Sequence, residues 1–161
     1  MTPDRELTRE TFAPPFDLST SEAWPLLRYA YRKAHAADQA AIEAFSAAER
    51  AASADPDARG VAPSETHSDA LARVQHNGEI GARHGVQAAE ERQRATAEWR
   101  YELVHAALDA PAPDLAALSL KVEMISDAGG WNDFDDASWP LFVADLQRLC
   151  GLAPVDLESQ Q

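Results

Sequence analysis

Between Trp24 and Ala52, apolar side chains recur at alternating three- and four-residue steps, through Trp24, Leu27, Tyr31, Ala34, Asp38, Ala41, Phe45, Ala48 and Ala52. This spacing draws one stripe along a helix and calls for a second helix packed lengthwise against it, as in a coiled coil. Asp38 is the only charge in the stripe. Ser19-Thr20-Ser21-Glu22 has capping-box spacing and Pro25 suits a first turn, so the helix is expected to start near Ser21. Asp55-Pro56-Asp57 ends it, and the stretch through Arg59-Gly60 to Pro63 has the composition of a chain reversal. At a rise of 1.5 Å per residue such a helix is about 50 Å long, which predicts an elongated molecule.

The partner helix is expected over Glu79 to Ala110, where Ala110-Pro111-Ala112-Pro113 stops it. A short helix precedes it, starting at Ser64 or at Thr66, since Thr66-His67-Ser68-Asp69 repeats the capping-box spacing; Asn77-Gly78 is expected to end that helix. Gly81, Gly85, Ala88 and Ala95 form a stripe of small residues. Glycine disfavours a helix by roughly 1 kcal/mol relative to alanine, so the stripe implies close backbone approach, to the first helix or to a second copy of the chain. With the long helices paired directly, Asp38 falls opposite the Arg92 to Arg94 turn; with the short helix continuous with its successor, it falls opposite Arg83.

Asp114 is an N-cap for a fourth helix with Leu115, Leu118, Val122 and Ile125 on one face and Leu120 and Met124 on its flank, ended by Gly129-Gly130. A fifth follows the acidic, aromatic stretch Trp131 to Asp136. It carries Trp139, Phe142, Val143, Leu146 and Leu149 on one side and stops at Gly151, with Asp136 as its cap. Nothing reads as a strand. The expected fold is an all-α, elongated helical bundle with a long antiparallel pair, Ser21 to Ser53 against Glu79 to Ala110, and two shorter carboxy-terminal helices. Residues 1–18 are expected to be a mobile arm, 19–151 a single helical domain, and 152–161 a frayed tail.

Across 161 residues the net charge is -13, which opposes binding driven by phosphate neutralisation and so excludes nucleic acid and anionic lipid as direct partners. Cys150 is the only cysteine, no apolar run reaches the length of a membrane span, and Met1 to Leu18 lacks the pattern of a signal peptide. A cytoplasmic setting is expected. From Asp109 onward ten acids face only Lys121 and Arg148, whereas Glu90-Glu91-Arg92-Gln93-Arg94 intermixes its signs.

Glu102-Leu103-Val104-His105, with Glu98 one turn earlier, puts metal-ligating types on one helix face, as di-metal carboxylate bundles do. Such a site needs a second Glu-x-x-His, which the chain lacks, so no metal or other cofactor is expected. Asp133-Phe134-Asp135-Asp136 departs from a calcium loop at Ser138 and Ala144, where Gly and Glu belong. No nucleophile elbow, phosphate-binding loop or dinucleotide fingerprint occurs, which favours a binding protein over an enzyme.

Ala110-Pro111-Ala112-Pro113-Asp114-Leu115-Ala116-Ala117-Leu118, through Lys121 to Asp145-Leu146-Gln147-Arg148-Leu149, resembles the carboxy-terminal part of small uncharacterised helical proteins of alphaproteobacteria. The resemblance covers the last third of the chain and implies a bacterial accessory or mobile-element setting. The reading favoured by the residues is a non-catalytic interaction module in which Asp127, Trp131, Asp133, Phe134, Asp135 and Asp136 meet a protein with a basic surface. An acidic mimic of nucleic acid that inhibits a DNA-binding protein, and a di-metal protein using Glu98, Glu102 and His105, are the alternatives.

Overall fold

The computed structural model describes residues 17–60, 66–128 and 138–151. These form five helices and no strand: α1 (Trp24–Ser53), α2 (His67–Arg83), α3 (Val86–Asp109), α4 (Leu115–Asp127) and α5 (Ser138–Cys150). The all-α class follows from the apolar periodicity. None of the described helices is long and apolar enough to cross a membrane. The chain divides into two compact units, one comprising the segments through Lys33 and from Trp99 onward, the other spanning Ala34–Glu98.

In the first unit, the beginning of α1 and the end of α3 join α4 and α5 around one apolar core. Trp24, Leu27, Ala30 and Tyr31 of α1 are buried, as are Leu103, Val104, Ala107 and Leu108 of α3. The indole Nε1 of Trp24 donates to the Leu18 carbonyl at 3.0 Å, which folds the chain before α1 back over the helix start and buries Leu18. Pro25 lies in the first turn of α1, where its missing N–H costs no helical bond.

Asp114 caps α4 by accepting from the Ala117 N–H at 2.8 Å. The buried face of α4 differs from the expected one. Leu115 and Val122 are exposed, while Leu118, Leu120, Lys121, Met124 and Ile125 are buried. The helix is rotated because Lys121, a charge that apolar patterning assigns to solvent, points into the core and finds partners there. In α5, Phe142 and Asp145 are buried and Trp139 is exposed, although Trp139 was expected on the inner side; its ring stacks on Phe142 with centroids 6.0 Å apart. Gly151, at φ +66, terminates α5 in the left-handed conformation that favours glycine.

In the second unit α1 and α3 run antiparallel: Asp55, just beyond α1, meets His84, just before α3, and Asp38 meets Thr96 further along. Ala34, Asp38 and Ala41 of the α1 stripe are buried. Asp38 is shut away from solvent, as the pairing of long helices requires, and the Thr96 hydroxyl reaches it at 3.4 Å, one turn beyond Arg92; Arg94 pairs with Glu90 on its own helix. Thr66 caps α2 with a complete capping box, its hydroxyl accepting from the Asp69 N–H and the Asp69 carboxylate accepting from the Thr66 N–H.

Asn77-Gly78 does not end α2, which continues to Arg83, so Glu79 to Arg83 belongs to α2 and not to the long partner helix. The Asn77 amide is engaged outside the helix by the Arg59 backbone and does not compete for its own. The break falls instead at His84-Gly85, where Gly85 adopts φ +71. Nor does the stripe of small residues form a continuous seam within the chain. Ala88 and Ala95 are exposed, and a methyl group at Gly85 would meet nothing within 4 Å.

The two glycines therefore separate conformation from packing, since Gly78 also has open space around it but lies within a helix. Gly78→Ala is expected to raise stability by about 1 kcal/mol through helix propensity. Gly85→Ala is expected to lower it by roughly 1–2 kcal/mol through the left-handed φ alone. Urea denaturation of both variants checks the opposed signs.

Candidate functional site

The acidic carboxy-terminal region has only two cations from Asp109 onward, and the first unit shows where both are engaged. Pro111 and Pro113 have no N–H, so the turn after α3 offers Ala112 as the sole donor among its residues 111–113. Both carboxylate oxygens of Asp145 accept from that N–H, at 3.0 and 2.9 Å. Lys121 lies fully buried beside it. Its ammonium donates to Asp145 at 2.7 Å and to the carbonyls of Leu108 and Ala110, which the end of α3 leaves without helical partners. The Trp24 ring lies 5.9 Å from the same ammonium. Arg148 completes the cluster by donating to Asp145 and to the Ala112 carbonyl.

Burial by itself would raise the Asp145 carboxyl; the Lys121 ammonium, the Ala112 N–H and Arg148 outweigh it and hold the group below the usual carboxylate range. With the cations so engaged, α4 presents acids. Glu123 takes Arg28 at 3.5 Å and Arg32 at 3.0 Å from α1. Asp127, the last residue of α4, is exposed and accepts from the Tyr31 hydroxyl at 3.1 Å. A carboxylate at a helix carboxy terminus adds to the negative end of the dipole. Tyr31 responds to this field: burial and then the Asp127 charge push its phenol above the ordinary value.

Of the six residues expected to form a recognition surface, Asp127 is exposed at the end of α4, while Trp131, Asp133, Phe134, Asp135 and Asp136 lie outside the described residues. Among the described residues no three His, Cys, Asp or Glu side chains converge as a metal site would require; Glu98 and Glu102 are exposed and His105 is half-buried. A cleft of about 260 Å³ opens between the starts of α1 and α4, lined by Ser21, Trp24, Pro25, Arg28, Asp114 and Leu120 among others. Its polar groups already serve the fold. The Asp114 carboxyl is lowered by the Ala117 N–H and then by the Ser21 hydroxyl, and Arg28 reaches Glu123. No carboxyl among these is pushed towards neutrality, as a general acid would need.

Lys121, Asp145, Arg148 and Tyr31 were not singled out as site residues by sequence pattern. The available signal was Lys121 itself, a single cation in the apolar run from Leu115 to Ile125. Comparison with protein-family models, curated proteins and solved structures returns no match.

The buried pair makes a definite prediction. Asp145→Ala leaves the Lys121 charge buried without its carboxylate and is expected to cost about 3–5 kcal/mol, read by urea denaturation. Because the Asp145 carboxyl is lowered in the folded state, its contribution is full above the unfolded value of about 3.9 and is lost as pH falls through the folded value. Asp145→Asn should therefore flatten the acid limb of the stability profile below about pH 4.

Proposed function

We propose that this chain is a non-catalytic interaction module, cytoplasmic and of the bacterial accessory type, whose acidic carboxy-terminal region docks on a protein with a basic surface. The observation that carries this reading is the exposed carboxylate of Asp127 at the negative end of α4, in a region whose Lys121 is buried and whose Arg148 is paired with Asp145. The outward surface there keeps its acids without the Lys121 charge, and the exposed Arg148 is paired with Asp145. Asp133, Asp135 and Asp136 follow within a few residues of Asp127 and add charge of the same sign, and Trp131 and Phe134 supply the aromatic anchors that interfaces favour.

Mimicry of nucleic acid has less support. A mimic requires an unbroken band of negative charge, and Arg28 and Arg32 place two cations beside Glu123 on the same helical unit.

The test is capture of partners from the native cell with wild type and with a variant carrying Asn at Asp127, Asp133, Asp135 and Asp136. Weaker capture and a shallower dependence on salt are expected, with helical content unchanged. Asp127→Asn alone should shift stability by no more than about 0.5 kcal/mol, since the side chain is exposed and an amide oxygen still accepts from Tyr31. Retention of every partner at unchanged salt resistance would remove the acidic surface from the function.

A further inference from the structure

In the second unit α2 is attached mainly by polar contacts. Ile80 is its only buried residue, and Leu71 and Val74 are 59% and 60% exposed. Several of its polar attachments run to the short segment after α1. The Nε2–H of His76 donates to the Asp57 carbonyl at 3.0 Å, His84 pairs with Asp55 at 2.8 Å, and Arg83 lies 3.8 Å from Asp55 and 3.4 Å from Asp57. Asn77 clamps a whole peptide unit's worth of backbone: its Oδ1 accepts from the Arg59 N–H at 3.0 Å and its Nδ2 donates to the Arg59 carbonyl at 2.9 Å. An element with one apolar anchor and several exposed polar bonds belongs to the low end of local stability.

Asn77 is followed by Gly78, which has nothing within 4 Å of the position a Cβ would take. This pairing is chemically reactive, because an unhindered Gly nitrogen closes readily on the preceding side-chain amide. We propose that Asn77-Gly78 is a masked deamidation site, protected while α2 is docked and converted once α2 is released, so that release becomes irreversible.

The reaction needs only water. The Gly78 backbone nitrogen bonds to Asn77 Cγ, the bond from Cγ to Nδ2 breaks, and the amide nitrogen leaves as ammonia with the proton from Gly78. Water then opens the five-membered imide, giving aspartate or, by cleavage on the main-chain side, isoaspartate.

In docked α2 both steps of approach are blocked. The Gly78 N–H lies within a helix, aimed at the carbonyl four residues earlier, and both amide atoms of Asn77 are held by Arg59. The product no longer fits the clamp. An aspartate has no donor for the Arg59 carbonyl and sets a negative oxygen against it, and isoaspartate adds a main-chain carbon that interrupts the helix.

The experiment follows Asn77 by peptide mass spectrometry during incubation of the full chain at fixed pH and temperature, with the chain unfolded in urea as the unmasked reference. Wild type should convert far more slowly than the reference. Asp55→Asn, which weakens the contacts to His84 and Arg83, should speed conversion and hydrogen exchange in α2 by about tenfold, the effect of removing one charge-assisted hydrogen bond on a local opening. Adding Gly78→Ala should abolish fast conversion and leave exchange in α2 about twofold faster than in wild type, since the helix propensity gained at 78 offsets most of the loosening. Asn77→Asp, the product made directly, should lower protection in α2 by about tenfold and leave α4 unchanged. The masking is overturned if wild type converts as fast as the unfolded chain or if Asp55→Asn converts no faster than wild type. The irreversible step is overturned if Asn77→Asp protects α2 as well as wild type does.

Discussion

The Lys121–Asp145 pair governs how the first unit is assembled. Proline at 111 and 113 ends α3 abruptly and removes two backbone donors, leaving the Leu108 and Ala110 carbonyls facing the core with no helical partners. Lys121 meets those carbonyls and Asp145 meets the one N–H between the prolines. One ion pair therefore satisfies the end of α3, the turn after it, and the inward polar groups of α4 and α5. It adds orientation more than net stability, because desolvation offsets much of the attraction between two buried charges. Leu115 and Val122 are exposed for the same reason: α4 turns the face that carries Lys121 inward.

The second unit shows the contrasting arrangement. Small residues line its inner α1 face at Ala34 and Ala41, and Asp38 adds a polar group there. Attachment of α2 rests on buried Ile80 and, in part, on side chains that bind the backbone and carboxylates of the segment after α1. Asp55 illustrates the density of this arrangement. The His84 contact, followed by the Asp57 N–H, holds its carboxyl below the usual range against the opposing effect of burial, with Arg83 adding to the lowering.

Charge is consequently distributed by role. Asp145 and Asp38 are buried and structural, Asp114 and Asp69 cap helices, and Glu123 and Asp55 carry inter-element ion pairs. Asp127 is the described acid of α4 that remains turned to solvent, at a helix end where the dipole disfavours it. An excess of acid therefore does not act as one uniform solubilising coat. It separates into groups used by the fold and groups left at the surface, and the proposed docking role rests on the latter.

What the sequence by itself determined was local. The α1 stripe, the capping box at Thr66, the cap at Asp114, the proline stop after α3 and the Gly151 terminus were all legible, because each depends on residues within a turn or two of one another; the Ser19–Glu22 box was not formed, since Ser19 bonds Asp17 and α1 starts at Trp24. The inward face of α4, the continuation of α2 through Asn77-Gly78, and the partners of Lys121 were not legible. Each is decided by a group distant in the chain: Asp145 for Lys121, Arg59 for Asn77. Of the carboxy-terminal acids, sequence supplied the excess, but only tertiary structure placed Asp145 inside and Asp127 outside, since burial of a charge depends on whether a counter-charge and backbone donors arrive from other helices to replace its water.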